Sequence, residues 1–154
     1  MTINRQILMK TRPVGMPILE NFEIVESNMP EARHGEVLIK ILWLSLDPYM
    51  RGRMSKAKSY AASINEGDLI VGGAVGEVIN SHTPEYKKGD IVEGFTLGWQ
   101  EYAIANPTSI RKINPDIAPI QTAVGVLGMP GMTAFFGLLH VGKPIPGDTV
   151  VVSA

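Results

Sequence analysis

Apolar residues arrive in short runs separated by glycine, proline and polar positions, the pattern of a chain of short strands. Residues 5–9 and 22–25 are two such runs, on either side of the Pro13, Gly15 and Pro17 punctuation. After a polar stretch with Pro30 and Gly35, residues 36–46 (EVLIKILWLSL) concentrate β-branched and aromatic side chains and predict the main strand. Residues 47–65 lack a sustained apolar period and carry Arg51, Arg53, Lys56, Lys58 and two tyrosines, which predicts a long loop with room for a helical turn. Strands are predicted again at 69–80, 91–97 and 99–105, with turn-formers such as Lys88, Gly89 and Asp90 between them. Near-regular spacing of short strands predicts a mainly β fold, a small barrel or a sandwich.

Beyond Pro119 the texture changes. Residues 120–127 and 132–139 carry long side chains at helical spacing, with Pro130 suited to a first turn and Gly142 to a stop. Residues 147–154 (GDTVVVSA) read as a turn followed by an apolar strand of the kind buried on both faces of a parallel sheet. Such a strand needs a neighbour and a crossover of about a dozen residues. The pattern therefore predicts a chain cut short of its natural continuation.

Composition narrows the classes. With 45% hydrophobic and 19% charged residues over 154 positions, the chain suits a globular domain with one core, and it holds no apolar run of membrane-spanning length. Fourteen basic against 15 acidic residues leave a net charge of −1, without the basic footprint that nucleic acid requires. The absence of cysteine excludes disulfides, thiolate zinc sites and cysteine nucleophiles together. The first ten residues lack the apolar segment of a secretory leader, so a cytoplasmic address is the expectation.

Little of the usual catalytic vocabulary is present. His34, His82 and His140 stand far apart without acidic residues at ligand spacing, which argues against a metal site, and His140 suits a helix end. No G-x-S-x-G elbow occurs, and the carboxylates are scattered. The glycines of GGAVGEV, residues 72–78, do not match a dinucleotide fingerprint and fit close strand packing or a bulge. Gly125, Gly128 and Gly131 recur at spacing three, clearing room for a neighbouring backbone or a flat ligand. Tyr49 and Tyr60 share the long loop, whereas Tyr86 and Tyr102 sit beside turns. A phenol can donate to a carbonyl oxygen on which charge develops. Two readings of Tyr49 stand side by side: that donor, or a ring packed over a barrel rim with its hydroxyl in water.

At residues 44–54 (LSLDPYMRGRM) and 128–154 (GMPGMTAFFGLLHVGKPIPGDTVVVSA) the sequence resembles the medium-chain dehydrogenase/reductase superfamily, within it the zinc-independent leukotriene B4 dehydrogenase/prostaglandin reductase group. The resemblance implies a GroES-like, partly open β-barrel with short helices over residues 1–125. Residues 126–154 would then be the linker helix and first strand of a truncated NADP-binding Rossmann domain. It implies NADPH as cofactor, no zinc, a homodimer, and reduction of the C=C bond of an α,β-unsaturated ketone or aldehyde. By the same resemblance Pro48, Tyr49 and Tyr60 contact the enone substrate, with Tyr49 catalytic, and Met132 and Thr133 face the nicotinamide. Zinc-dependent relatives carry a cysteine-led ligand set where this chain has Leu46, Asp47, Pro48 and Tyr49. A reading from a different class is a free-standing GroES-like binding module without redox chemistry.

Unpaired edges on an apolar strand recruit other chains. The pattern at 147–154 accordingly predicts dimerisation or strand exchange through this segment, and sedimentation at high concentration will show it unless the chain stays strictly monomeric.

Overall fold

A computed structural model describes residues 2–153. Seven strands are present among them: β1 (Ile3–Met9), β2 (Phe22–Asn28), β3 (Val37–Leu44), β4 (Ala74–Ser81), β5 (Ile91–Gly94), β6 (Tyr102–Ala105) and β7 (Ile110–Lys112). Two short α-helices, α1 (Tyr49–Arg53) and α2 (Met129–Phe135), are joined by 3₁₀ turns at Leu19–Asn21, Pro107–Ser109 and Ile120–Val124 and by a π-helical turn at Phe136–Gly142. Five strands form an antiparallel sheet in the order β6-β3-β4-β5-β7, and β1 and β2 form a separate hairpin. The curled sheet with its hairpin is a mainly β, GroES-like half-barrel, as expected.

The centre of the sheet is the β3–β4 pair, whose register skips at Ile79 and again at Leu42. Between those irregularities Gly76 lies against Ile41, so close to the adjoining strand that a Cβ would collide with the Ile39 side chain and the Lys40 carbonyl. Gly76 thus serves strand packing, and Gly72, just before β4, makes room for the Trp99 side chain. Val37, Ile39, Ala74, Val78, Val92, Leu97, Ala103 and Ile110 bury one core on this sheet.

A second core, Met9, Met54, Ile64 and Ile70 with Phe22 and Trp99 against it, seals the hairpin onto the sheet. Ile7 N donates to Trp99 O at 2.9 Å, Ile70 N to Ile7 O at 3.0 Å and Met9 N to Asp68 O at 2.9 Å. Buried Asn4 substitutes for backbone here: its Nδ2 donates to Tyr102 O at 3.0 Å, and its Oδ1 accepts from Tyr102 N at 2.9 Å. An amide carries both a donor and an acceptor, which is why it can satisfy a strand edge.

Several element boundaries differ from the sequence expectation. The strand expected at 69–80 begins at Ala74, and that at 99–105 contracts to β6, because Leu69 and Gln100 spend their pairing on single bridges to Leu8 and Gln6. The Lys87–Asp90 turn closes as expected, with Gly89 at φ 91° and Lys87 N donating to Asp90 Oδ2 at 2.9 Å. The helix expected at 120–127 is a 3₁₀ turn, and the one expected at 132–139 starts earlier, at Met129, and loosens into the π-helical turn. β7, three residues long, carries too short a pattern to be read in advance. Residues 148–153 form no strand, since no partner backbone lies alongside them in the described chain; Ala154 falls outside the described residues. Val151 and Val152 are both 86% exposed. No helix among the described residues is long and apolar enough to cross a membrane.

Gly76→Ala will destabilise the fold by about 1–3 kcal/mol, the cost of overpacking a tight contact. Chemical denaturation measures it, and a variant as stable as its parent would show that β3 and β4 separate freely.

Candidate active site

Chain direction at the end of β3 creates the site. Ser45 N donates to Gly73 O at 2.8 Å, holding the strand pair together one residue past Leu44, and the backbone then leaves the sheet through Leu46, Asp47 and Pro48. Pro48 stands at the N-cap of α1 with φ −56°, a value its ring imposes, so the following residue enters the helix directly. That residue is Tyr49.

Tyr49 is half-buried and lines a tight cleft with Ser45, Asp47, Gly73, Glu93 and Met129. The cleft encloses about 10 Å³, the room of about one water. Burial pushes the Tyr49 phenol above its ordinary pKa, and the Asp47 charge adds to the rise; the Gly73 backbone and the Arg53 charge act in the opposite sense. Tyr49 is therefore a neutral hydrogen-bond donor at neutral pH. The ring is half-buried, so part of the residue still meets solvent and both readings of its hydroxyl stand.

Two polar partners in the cleft were not apparent from local sequence. Ser45 Oγ is buried and has no hydrogen-bond partner among the described residues. Glu93 is buried on β5 and ion-paired to Arg111 Nε at 2.5 Å. A lone acid inside the apolar run of residues 91–95 was the available signal, since a buried carboxylate requires such a partner.

The remaining expected residues disperse. Pro48 faces another space, an open apolar groove of about 360 Å³ bounded also by Pro17, Phe22, Met50 and Trp99. Asp47 borders both spaces, so the first turn of α1 divides them. Tyr60 is 90% exposed, yet its phenol is near enough to act electrostatically on Tyr49. Met132 and Thr133 lie on the exposed side of α2, whose first residues, Met129 and Pro130, border the cleft. Gly128 and Gly131 approach the backbone of Ala123 and Val126 so closely that a Cβ at either would collide with a carbonyl, so these two glycines serve packing within the chain, whereas Gly125 has room for a Cβ.

The other candidates have structural partners. Tyr86 donates from its hydroxyl to Ile110 O at 2.7 Å, tying the β4–β5 connection to β7. His140 lies in the last turn of the π-helical segment, near a helix end as expected, with its ring 4.9 Å from that of Phe136. Among the described residues no three histidine, aspartate or glutamate side chains gather into a metal-holding group.

Comparison with known proteins adds to this geometry. A family model described as the N-terminal domain of oxidoreductases matches residues 5–113. The chain belongs to this family. It is 43% identical over 151 residues to the NADPH-dependent curcumin reductase of Escherichia coli, covering 98% of this chain and 44% of that protein. It is 42% identical over 157 residues to the NADP-dependent 2-alkenal reductase of Nicotiana tabacum, covering 98% of this chain and 45% of the relative. The crystal structure of CurA from Vibrio vulnificus in complex with NADPH superposes with a TM-score of 0.86 at 44% identity, over 94% of this chain and 42% of that one. The chain thus spans less than half the length of these relatives, and the family resemblance of its motifs is met.

The folded state holds the Tyr49 proton more tightly than the unfolded chain does. Stability from this source is present below the ordinary phenol pKa of about 10 and is lost as pH rises through the higher folded value. Denaturation across the alkaline range will show a steeper loss in the parent than in Tyr49→Phe; identical profiles would mean that burial does not hold this proton.

Proposed function

We propose that this chain is the substrate-side part of an NADPH-dependent oxidoreductase that reduces the C=C bond of α,β-unsaturated ketones and aldehydes. The observation that carries the reading is identity above 40%, along almost the entire chain, to reductases named for curcumin and for 2-alkenals. Both are conjugated carbonyl compounds. On this reading residues 1–125 form the substrate domain and residues 126–154 begin the cofactor domain. The contiguous apolar exposure of Phe135, Phe136, Leu138, Leu139 and Val141 supports it, because patches of this kind mark surfaces that pack against something.

The residues of α2 suit one end of NADPH. Met132 offers an apolar side chain and Thr133 a hydroxyl, which match a flat nicotinamide ring and its carboxamide. Residues 114–142 contain no lysine or arginine, so this stretch is unsuited to gripping phosphates. When bound, the cofactor supplies a hydride to the β-carbon of the substrate, and the enolate so formed takes a proton at its α-carbon.

The chain's own contribution is to hold the enone and stabilise the charge that develops on its oxygen. Tyr49 donates a hydrogen bond to that oxygen from a half-buried position, where a positioned donor is worth more than in bulk water. Pro48 aims it, and Tyr60 supplies a second wall that closes on the substrate. The complete protein is a cytoplasmic homodimer with no zinc. The 154-residue chain alone is inactive, because it offers one side of the cofactor cleft only.

Loss of NADPH absorbance with small and aryl enones tests the reading. The complete protein turns over, Tyr49→Phe lowers kcat/KM by about 100-fold, the scale of one oxyanion donor, and the 154-residue chain shows no turnover. A complete protein that consumed no NADPH with any enone would overturn the proposal in favour of a binding module.

A further inference from the structure

The helix that carries Tyr49 cannot hold itself. It has five residues and no side-chain cap, and a single turn is far below the length at which a helix persists alone. Met54, at its C-terminal end, packs into the second core and Met50 is buried, but unbranched methionines conform to a site more than they define one.

Two arginines supply what the methionines lack. From α1, Arg51 reaches the β1–β2 connection: its Nε and Nη2 donate to Gly15 O at 3.1 and 2.9 Å, and Nη2 also donates to Pro13 O at 3.2 Å. From that same connection, Arg12 reaches back. Its Nη1 donates to Met54 O, the C-cap of α1, at 3.1 Å, and its Nη2 to Ile64 O at 2.6 Å. Ile64 N in turn donates to Arg53 O at 2.9 Å, so the second carbonyl is itself fastened to the helix. Neither guanidinium forms an ion pair with a carboxylate among the described residues; both are spent on backbone carbonyls.

We propose that Arg12 and Arg51 form a reciprocal clamp that sets the depth of Tyr49 in its cleft, acting as positioning residues without touching the substrate. Residues two apart on a helix point to opposite sides. Arg51 accordingly borders the open groove while Tyr49 borders the tight cleft, and fastening one side fixes the other. The planar fork of arginine suits two carbonyls at once, and a lysine ammonium at the same place lacks that fork. The proposal rests on Tyr49 as the donor at the site, but its test does not require turnover.

The test is a titration of ¹³C-labelled tyrosine in the full chain, followed by NMR, for the parent, Arg12→Lys, Arg51→Lys, Arg51→Gln and the Arg12→Lys/Arg51→Lys pair. Tyr86, partly buried elsewhere with its phenol likewise raised, is the internal control. The titratable and charged groups acting on or beside Tyr49, namely Asp47, Arg53, Tyr60 and Glu93, stay intact in every variant. The expected result is a Tyr49 pKa falling back toward about 10 in both Arg51 variants with Tyr86 unmoved. Removing a positive charge alone would drive the phenol upward, so the downward direction in Arg51→Gln reports release from burial. In the double variant the fall is no larger than in the greater of the two singles, because either break opens the same clamp. A Tyr49 that stays put or rises, a Tyr86 that shifts in parallel, or a double variant that sums its singles would each overturn the clamp. Failure of the enone reading shows in Tyr49→Phe turnover instead, so the two are separable.

Discussion

The close approach of β3 to β4 is the constraint on which the rest of the structure depends. Gly76 lets the two backbones meet at a distance no side chain permits, and the skipped residue Leu42 bends β3 where it leaves its partner β6 behind. A bulge increases local twist and redirects the strand that contains it. Here the redirected strand is the one that ends in Ser45, and the Ser45–Gly73 hydrogen bond keeps the exit point fixed. Tyr49 comes within reach of Gly73 because the strand pair has already brought both segments together.

Around that pair the molecule divides its apolar burial in two. The sheet core depends on β-branched and small residues that pack across paired strands. The second core is rich in methionine and aromatic rings and joins segments that no extended strand pairing unites, namely β1, the turn after α1 and residues 64–71, of which β1 and the last meet in a single bridge. The site lies at the seam between them. Its polar groups are held by well-packed sheet on one side and by a one-turn helix on the other. The arginines that cross this seam use charge to satisfy carbonyls that irregular backbone would otherwise leave unpaired.

Beyond residue 125 the physical character is different. The helical stretch places large apolar side chains in solvent, from Val126 and Leu127 through Phe135 and Leu139 to Val141, and the valines of residues 150–152 are exposed as well. The family to which the chain belongs is one of N-terminal oxidoreductase domains, and its relatives here are more than twice as long. A chain that exposes this much hydrocarbon next to its candidate site is built to have that surface covered.

Local chemistry determined much of this protein. The strand at 37–44 follows from its run of β-branched and aromatic residues, the turn at 87–90 from its glycine and aspartate, and the lack of thiolate chemistry from the lack of cysteine. The Asp47-Pro48-Tyr49 step stood out through its resemblance to a family motif, and its proline fixes φ at the entry to α1. Tertiary structure decided which side chains Tyr49 meets, since Ser45, Gly73, Glu93 and Met129 come from four separate segments that only the sheet brings together. It also put Pro48 and Tyr49 into different spaces and left Met132 and Thr133 outside the cleft. Periodicity reports which face of an element is apolar. It carries no record of which distant backbone will supply a neighbour, and for that reason the three-residue β7, the crossing arginines and the unpaired valines near the chain's end were decided by contacts rather than by pattern.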